Sequence, residues 1–134
     1  MAGYSGTPLP RKLGIEPDGR FATKHAPEGF VDTLGDLPPG AEWRRQVRSG
    51  LDVVIGFYTS RAVMVREWAQ LTAAVAPHGT VWIAWPKRAS KVATDITEDV
   101  LRAEFLPTGW VDNKVCAIDD TWSGLRFALR RELR

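Results

Sequence analysis

The chain has 134 residues, 44% of them hydrophobic and 25% charged, and a formal net charge of +2 at pH 7. This length and composition are ordinary for a single globular domain, which we expect to span residues 1–134. The small net charge gives no reason to expect nucleic-acid binding by bulk attraction. No stretch is long and apolar enough to cross a membrane, and the first residues lack the pattern of a signal peptide.

Cys116 is the only cysteine in the chain. An internal disulfide is therefore impossible, and a cytosolic, cytoplasmic location is expected. Because Cys116 lies in an alternating apolar run, we expect a buried structural thiol rather than a nucleophile.

The residues before Leu51 predict short elements. Thr7-Pro8 places a proline in the first turn of a short helix. Arg20–His25 is predicted to be a strand, and Pro27 opens a second helix. Ala41–Val47 is predicted to be an edge strand, because its charges suit a solvated rim.

A predicted strand-helix-strand unit, Leu51–Pro86, forms the centre of the chain. Leu51–Tyr58 is a nearly continuous apolar run, as in a strand buried on both faces, and Thr80–Trp85 is a second one. Between them apolar residues recur on one helical face, and Thr59 or Ser60 can cap that helix. The residues of this face are Met64, Trp68, Leu71 and Val75. Two such strands joined by a helix predict a right-handed parallel unit.

After Trp85 the sequence predicts a basic loop, a helix and a closing hairpin. Asp95 and Glu98 have the spacing of a capping box for the helix. Trp110–Ile118 and Leu125–Leu129 are predicted strands with a short connection, so they pair antiparallel. The expected fold class is α/β: a single Rossmann-like sheet, mostly parallel, with a C-terminal antiparallel hairpin and helices on both faces.

Two segments and the closing hairpin resemble a shortened class I, Rossmann-like methyltransferase domain. Leu13–Ala22 is similar to the "leucine, proline-x-glycine, first strand" entry of those enzymes, and Val75–Trp82 to the turn before their fifth strand. The resemblance implies that the strands from Arg20 and Leu51 are neighbours, with the strand from Thr80 next and the hairpin at the edge. It also implies S-adenosylmethionine as the cofactor.

The residues that hold S-adenosylmethionine in that family are not matched. The resemblance implies a glycine-rich turn after the first strand, where the backbone approaches the cofactor closely, but this chain has one glycine and a proline in 25–30. It also implies an acidic residue at the end of the second strand, where this chain has Arg44-Arg45-Gln46, with Glu42 too early. The segment before Leu51 is too short for the usual helix, strand and helix. The cofactor is therefore possible but disfavoured, and we expect weak binding or none.

The chain also resembles, along nearly its whole length, a family of short bacterial proteins of unknown function. This resemblance implies no activity. Its marks are Gly3–Leu9, Ala26–Phe30, Ala84–Lys87, Ala93–Asp99 and Asp120–Leu125.

Two loops that follow parallel strands form the candidate ligand site, since open parallel sheets bind ligands at their carboxyl edge. In the first loop, His25 and Glu28 could contact a ligand or act as acid and base. A tight strand-to-helix turn is the alternative, and it accounts for Pro27 and Gly29 better than for His25 and Glu28. The sequence identifies no catalytic residue and no metal site.

The second loop is basic and follows the strand from Thr80. Lys87, Ser90, Lys91 and Thr94 suit a phosphate or carboxylate, although most charged runs are simply solvated. Because one strand is expected between the two loops, they should be roughly 10 Å apart, which a nucleotide-sized ligand can span.

The connection of the hairpin contains Asp119, Asp120 and Trp122. Paired carboxylates can bind a metal, but turns favour aspartate, so we expect a structural role. Trp122 should pack against the body of the protein or meet a partner.

Three functions are compatible with the sequence, and whether the protein is an enzyme stays open. The first is binding of a small anionic or nucleotide-like ligand without catalysis. The second is a reduced S-adenosylmethionine-dependent methyltransferase. The third is a protein-interaction or regulatory module, with a protein partner or a second copy of the chain. Neither a membrane nor nucleic acid is an expected partner.

Overall fold

The computed structural model describes residues 6–134, so the first part of the Gly3–Leu9 motif lies outside it. The helices of this described part have the bounds α1 Leu9–Lys12, α2 Phe30–Leu34, α3 Arg61–Val75 and α4 Glu98–Phe105. Its strands have the bounds β1 Arg20–Lys24, β2 Glu42–Arg44, β3 Val53–Phe57, β4 Thr80–Pro86, β5 Trp110–Ala117 and β6 Trp122–Leu129. Short 3-10 turns cover Arg88–Ser90, Leu106–Thr108 and Arg131–Leu133.

The strands form one mixed sheet in the order β2-β1-β3-β4-β6-β5. β2, β1, β3 and β4 run parallel to one another, whereas β6 runs antiparallel to both β4 and β5. The predicted α/β class, the parallel unit, the edge strand and the closing hairpin are confirmed. No described helix has the length and hydrophobicity of a membrane span.

The apolar runs of β3 and β4 are continuous because both faces of the sheet are covered. Val54 and its same-side neighbours on β4 pack with α3 and α4, while Val53, Ile55 and Phe57 pack with α1 and α2 on the other side. Side chains of a strand alternate between faces, so a strand between two helical layers must be apolar throughout.

The helix α3 has the predicted register. Its predicted apolar face is buried: Met64, Trp68, Leu71 and Val75. Ser60 is the N-cap, and its hydroxyl accepts a hydrogen bond from the Val63 N–H at 3.3 Å. The burial of this face fixes which residues α3 presents to the carboxyl edge of the sheet.

Two sequence predictions about local structure are wrong. The N-cap of α4 is Thr97, whose hydroxyl accepts from the Val100 N–H, whereas the Asp95 carboxylate accepts from the Arg61 N–H at the start of α3. The last strand begins at Trp122 rather than Leu125, because pairing with β4 continues to Pro86↔Trp122. In both cases a contact distant in sequence decided the outcome.

Candidate functional site

The carboxyl ends of β1 and β3 form a crevice at a topological switch point. β1 leads into α2 on one face of the sheet, and the neighbouring β3 leads into α3 on the opposite face. Chains that diverge in this way leave a crevice between them, which is where open α/β sheets bind ligands. The two predicted loops do emerge at this edge, with β3 between their strands.

Three side chains are connected across this crevice. The Tyr58 hydroxyl donates to Glu67 Oε1 at 2.7 Å, and His25 Nε2 donates to the same oxygen at 2.9 Å. The imidazole also meets the Tyr58 ring edge-on, with centroids 5.4 Å apart. His25 is in the left-handed region with φ of 58°, an uncommon backbone conformation that directs the chain away from β1. α3 therefore ties the loop after β1 to the loop after β3 through one carboxylate.

The environment of this network sets its protonation. Burial, reinforced by the hydrogen bond to Glu67, raises the pKa of Tyr58 far above its ordinary value. For Glu67, burial acts to raise the pKa, but hydrogen bonds from Tyr58 and His25 outweigh it and lower the pKa. At neutral pH a carboxylate thus faces a neutral phenol. A neutral phenol donates a hydrogen bond and does not act as a base. The network is therefore better suited to holding the two loops in position than to transferring protons.

A cavity of about 290 Å³ opens beside this network. Its lining includes aromatic side chains from β3 and β6 and hydroxyls from the loop before α3; the residues are His25, Phe57, Tyr58, Thr59, Ser60, Val63 and Trp122. The Trp122 and Phe57 rings meet edge-on with centroids 5.2 Å apart. Among the described residues, no lysine or arginine lines this cavity. The space suits a flat molecule with hydrogen-bonding groups better than an anion.

The basic loop after β4 has a separate cavity of about 440 Å³, lined by Arg88, Lys91 and Thr94 among others. The hydroxyls of this loop are used within the fold. Ser90 Oγ donates to the Lys87 carbonyl at 2.7 Å, and Thr94 Oγ1 donates to the Thr59 carbonyl at 2.7 Å. The Thr94 hydrogen bond joins the loop after β4 to the loop after β3.

The six predicted site residues are at one edge of the sheet but line no common cavity. His25 lines the crevice cavity, and Lys91 and Thr94 line the basic one. Glu28, Lys87 and Ser90 line neither. Both loops thus lie at the same edge of the sheet, as expected, but only three of the six side chains line a cavity, and these three are divided between two cavities.

The sequence analysis did not identify Glu67 as a site residue, and it did not place Trp122 at the ligand site. Glu67 lies within a helix whose apolar face was readable, but nothing in its spacing indicates that it bridges two loops. Trp122 does pack against the body of the protein, as expected, on Phe57.

Asp119 has the structural role expected of it, since its carboxylate accepts from the Thr121 and Trp122 N–H groups at 2.8 Å. Within residues 6–134, no three His, Cys, Asp or Glu residues are grouped as metal ligands.

Solved structures with a similar fold include S-adenosylmethionine-dependent methyltransferases. A putative type 11 methyltransferase from Sulfolobus solfataricus has a TM-score of 0.61 at 10% identity, with 91% of this chain and 89% of that chain covered. An S-adenosylmethionine-dependent methyltransferase from Aquifex aeolicus has a TM-score of 0.59 at 10% identity, covering 87% and 85%. No protein-family model and no curated protein matches the chain.

A possible exported protein from Bordetella parapertussis also has this fold, with a TM-score of 0.59 at 13% identity. The match covers 91% of this chain but only 64% of that protein. At such identities the likeness concerns the fold, and it supports a truncated methyltransferase-like architecture.

Proposed function

We propose that this chain is a reduced domain of the methyltransferase fold that binds a nucleoside-sized ligand in the crevice between His25 and the Tyr58–Ser60 loop. The observation that carries this proposal is the cavity at the switch point, which is lined from the loops after both β1 and β3. The similar solved structures named for S-adenosylmethionine-dependent methyltransferases support an adenosine-type ligand at this edge.

The lining favours a flat ligand without negative charge. Phe57 and Trp122 supply aromatic surface, and Thr59 contributes an exposed hydroxyl. The Glu67 carboxylate behind Tyr58 adds negative potential and repels anions. A heteroaromatic base can stack on such rings and bond to hydroxyls. A volume of about 290 Å³ lies just below the ~300–1,000 Å³ range of small-molecule pockets.

The residues present do not fit S-adenosylmethionine as the resemblance implies that it is held. Gly29 has φ of 85° with open space around it, so it serves the turn rather than a close approach of backbone to cofactor. β2 ends at Arg44, level with Ala22 in the middle of β1, and Glu42 is level with Arg20 at the opposite end. No carboxylate of β2 is therefore placed to hold a ribose at the carboxyl edge. We derive no methyl-transfer step, and weak binding of the whole cofactor stays the expectation.

A small anion in the basic cavity after β4 is the second candidate. Among the described residues, the side chains of Arg88 and Lys91 make no hydrogen bond or ion pair, so their charges are available to a ligand. Glu98 also lines this cavity, but it is paired with Arg102 at 2.8 Å. The positive charge at this cavity favours a phosphate or carboxylate there rather than in the crevice.

Calorimetric titration with adenosine, S-adenosylhomocysteine, S-adenosylmethionine and AMP tests both candidates. Thr59→Phe should block the crevice, because Thr59 is an exposed lining residue, and should weaken adenosine binding at least about tenfold, or ~1.4 kcal/mol. Gln70→Phe, on the exposed side of α3, is the matched control and should bind normally.

Absence of binding by every adenosine compound at millimolar concentration would refute the crevice as a nucleoside site. If AMP alone binds and Lys91→Ala removes that binding, the anion site is the correct one. Sub-micromolar S-adenosylmethionine binding, lost in Thr59→Phe, would show instead that the full cofactor site is retained.

A further inference from the structure

Four of the described arginines line a concave pocket that includes the start of β1 and the residues just before β3, whereas the ligand crevice lies at the carboxyl ends of these two strands. The pocket has a volume of about 320 Å³ and takes Arg20 from the start of β1, Arg44 from the end of β2, and Arg45 and Arg48 from the connection that follows. Ser49, Gly50, Gln46 and Leu51 complete its lining. It shares no lining residue with either cavity at the carboxyl edge.

The short connection between β2 and β3 creates this pocket. Residues 45–52 contain no helix or strand. Val47 and Leu51 pack against the core on the α3 side, and the Leu51 N–H donates to the Ala74 carbonyl at 3.0 Å. These anchors hold the polar residues between them beside Arg20, which is distant in sequence.

The charge of the pocket is largely uncompensated. In the described part of the chain, the guanidinium groups of Arg20, Arg45 and Arg48 make no hydrogen bond or ion pair, and Arg44 has one exposed contact, to Glu42 at 3.3 Å. The nearby Asp52 carboxylate instead accepts from the Arg20 backbone N–H at 2.8 Å. Like charges gathered in one concavity repel each other, so an anion that neutralises them binds favourably.

We propose that this pocket binds a small molecule that carries two or more adjacent phosphate groups, such as pyrophosphate or a nucleoside diphosphate. Each guanidinium presents a planar fork of donors that matches phosphate oxygens, and several forks around one cavity suit neighbouring phosphates. Nucleic acid fits less well, because it follows an extended basic surface, whereas these arginines share one pocket on a chain of net charge +2. The site is independent of the crevice.

Calorimetric titration of the full chain with pyrophosphate and with ADP tests the proposal. Arg45→Gln/Arg48→Gln should weaken both at least about tenfold, since each substitution removes charge-assisted hydrogen bonds. Arg130→Gln/Arg131→Gln removes the same charge from exposed residues outside the pocket and should leave affinity nearly unchanged. Arg45→Lys/Arg48→Lys keeps the charge without the fork and should lie between. Melting temperatures of all variants should match that of the native chain, because the replaced side chains are exposed and unpaired.

No binding of pyrophosphate or ADP to the native chain at millimolar concentration would overturn the proposal. Equal weakening in the Arg130/Arg131 control would overturn it too, because the effect would then be general attraction. A short single-stranded RNA that binds more tightly than ADP, and loses affinity in the Arg45/Arg48 variant, would replace the small phosphate ligand with nucleic acid.

Discussion

Replacing Trp68 with alanine should be among the most destabilising single changes in this chain. Trp68 is 6% exposed, and its ring stacks on Phe105 with centroids 3.8 Å apart and planes 12° apart. It also meets Phe127 and Trp110 edge-on at 5.4 and 6.1 Å. The side chain therefore joins α3 to α4 and to the hairpin.

The expected loss of unfolding free energy is about 3–5 kcal/mol, the usual cost of truncating a buried aromatic residue. Stacking and edge contacts account for about 0.5–1.5 kcal/mol per ring pair within that cost. The hydrogen bond from Trp68 Nε1 to Thr108 Oγ1 adds little, because Thr108 is exposed and its hydroxyl can return to water. Trp68→Phe should cost less, since it keeps part of the stack.

Denaturation followed by circular dichroism measures this loss, with Val65→Ala on the same helix as the control. Val65 is 40% exposed, so its substitution should change stability within about 0.5 kcal/mol. A loss for Trp68→Ala as small as that of the control would refute the burial of Trp68 and the packing of α3. It would also contradict the placement of Glu67, the residue that precedes Trp68.

Four further predictions concern the carboxyl edge. Because the pKa of Glu67 is lowered in the folded chain, its carboxylate contributes stability at neutral pH. This stability is lost as pH falls from about 4.5 toward the folded-state pKa. An acid denaturation curve of Glu67→Gln should lack this pH-dependent part. Tyr58 has a raised pKa, so its contribution is complete below pH 10 and is lost only above it; phenolate absorbance, corrected with Tyr58→Phe, should show no Tyr58 ionisation near pH 10 while the chain is folded. His25→Ala leaves the Tyr58–Glu67 hydrogen bond in place, so it should preserve the raised Tyr58 pKa, and the same absorbance titration would reveal a failure. Lys87→Ala/Lys91→Ala tests the anion candidate: AMP held in the basic cavity should bind more weakly through the loss of Lys91, with the melting temperature nearly unchanged, and full retained affinity would contradict that candidate.

The sequence by itself determined the layers of this fold. Continuous apolar runs around Val54 and Ile83 require a sheet covered on both faces, and the spacing of Met64, Trp68 and Leu71 requires a helix on one of them. Because strand and helix periodicities are local properties, they could be read without knowing any contact. The parallel unit could also be predicted, because two buried parallel strands joined by a helix are almost always connected by a right-handed crossover.

Predictions made from the local sequence were wrong where a residue distant in sequence supplied the hydrogen bond or the strand pairing. Asp95 has the spacing of a cap for α4, yet its carboxylate accepts from the Arg61 N–H at the start of α3, because the loop after β4 folds back to that helix. Trp122 looked like part of a turn, but its pairing with Pro86 makes it a strand residue. Hydrogen-bond partners tens of residues away have no signature in the local sequence.

Only the tertiary structure decided which polar residues share a site. His25 and Lys91 follow strands of the same sheet, as the sequence indicated, yet they line different cavities. Glu67 reaches His25 and Tyr58 from the face of α3, and Arg20 joins Arg45 and Arg48 across the β1–β2 pair. The physical reason is that packing of apolar residues fixes each element locally, whereas the meeting of charged side chains depends on how several elements are placed at once.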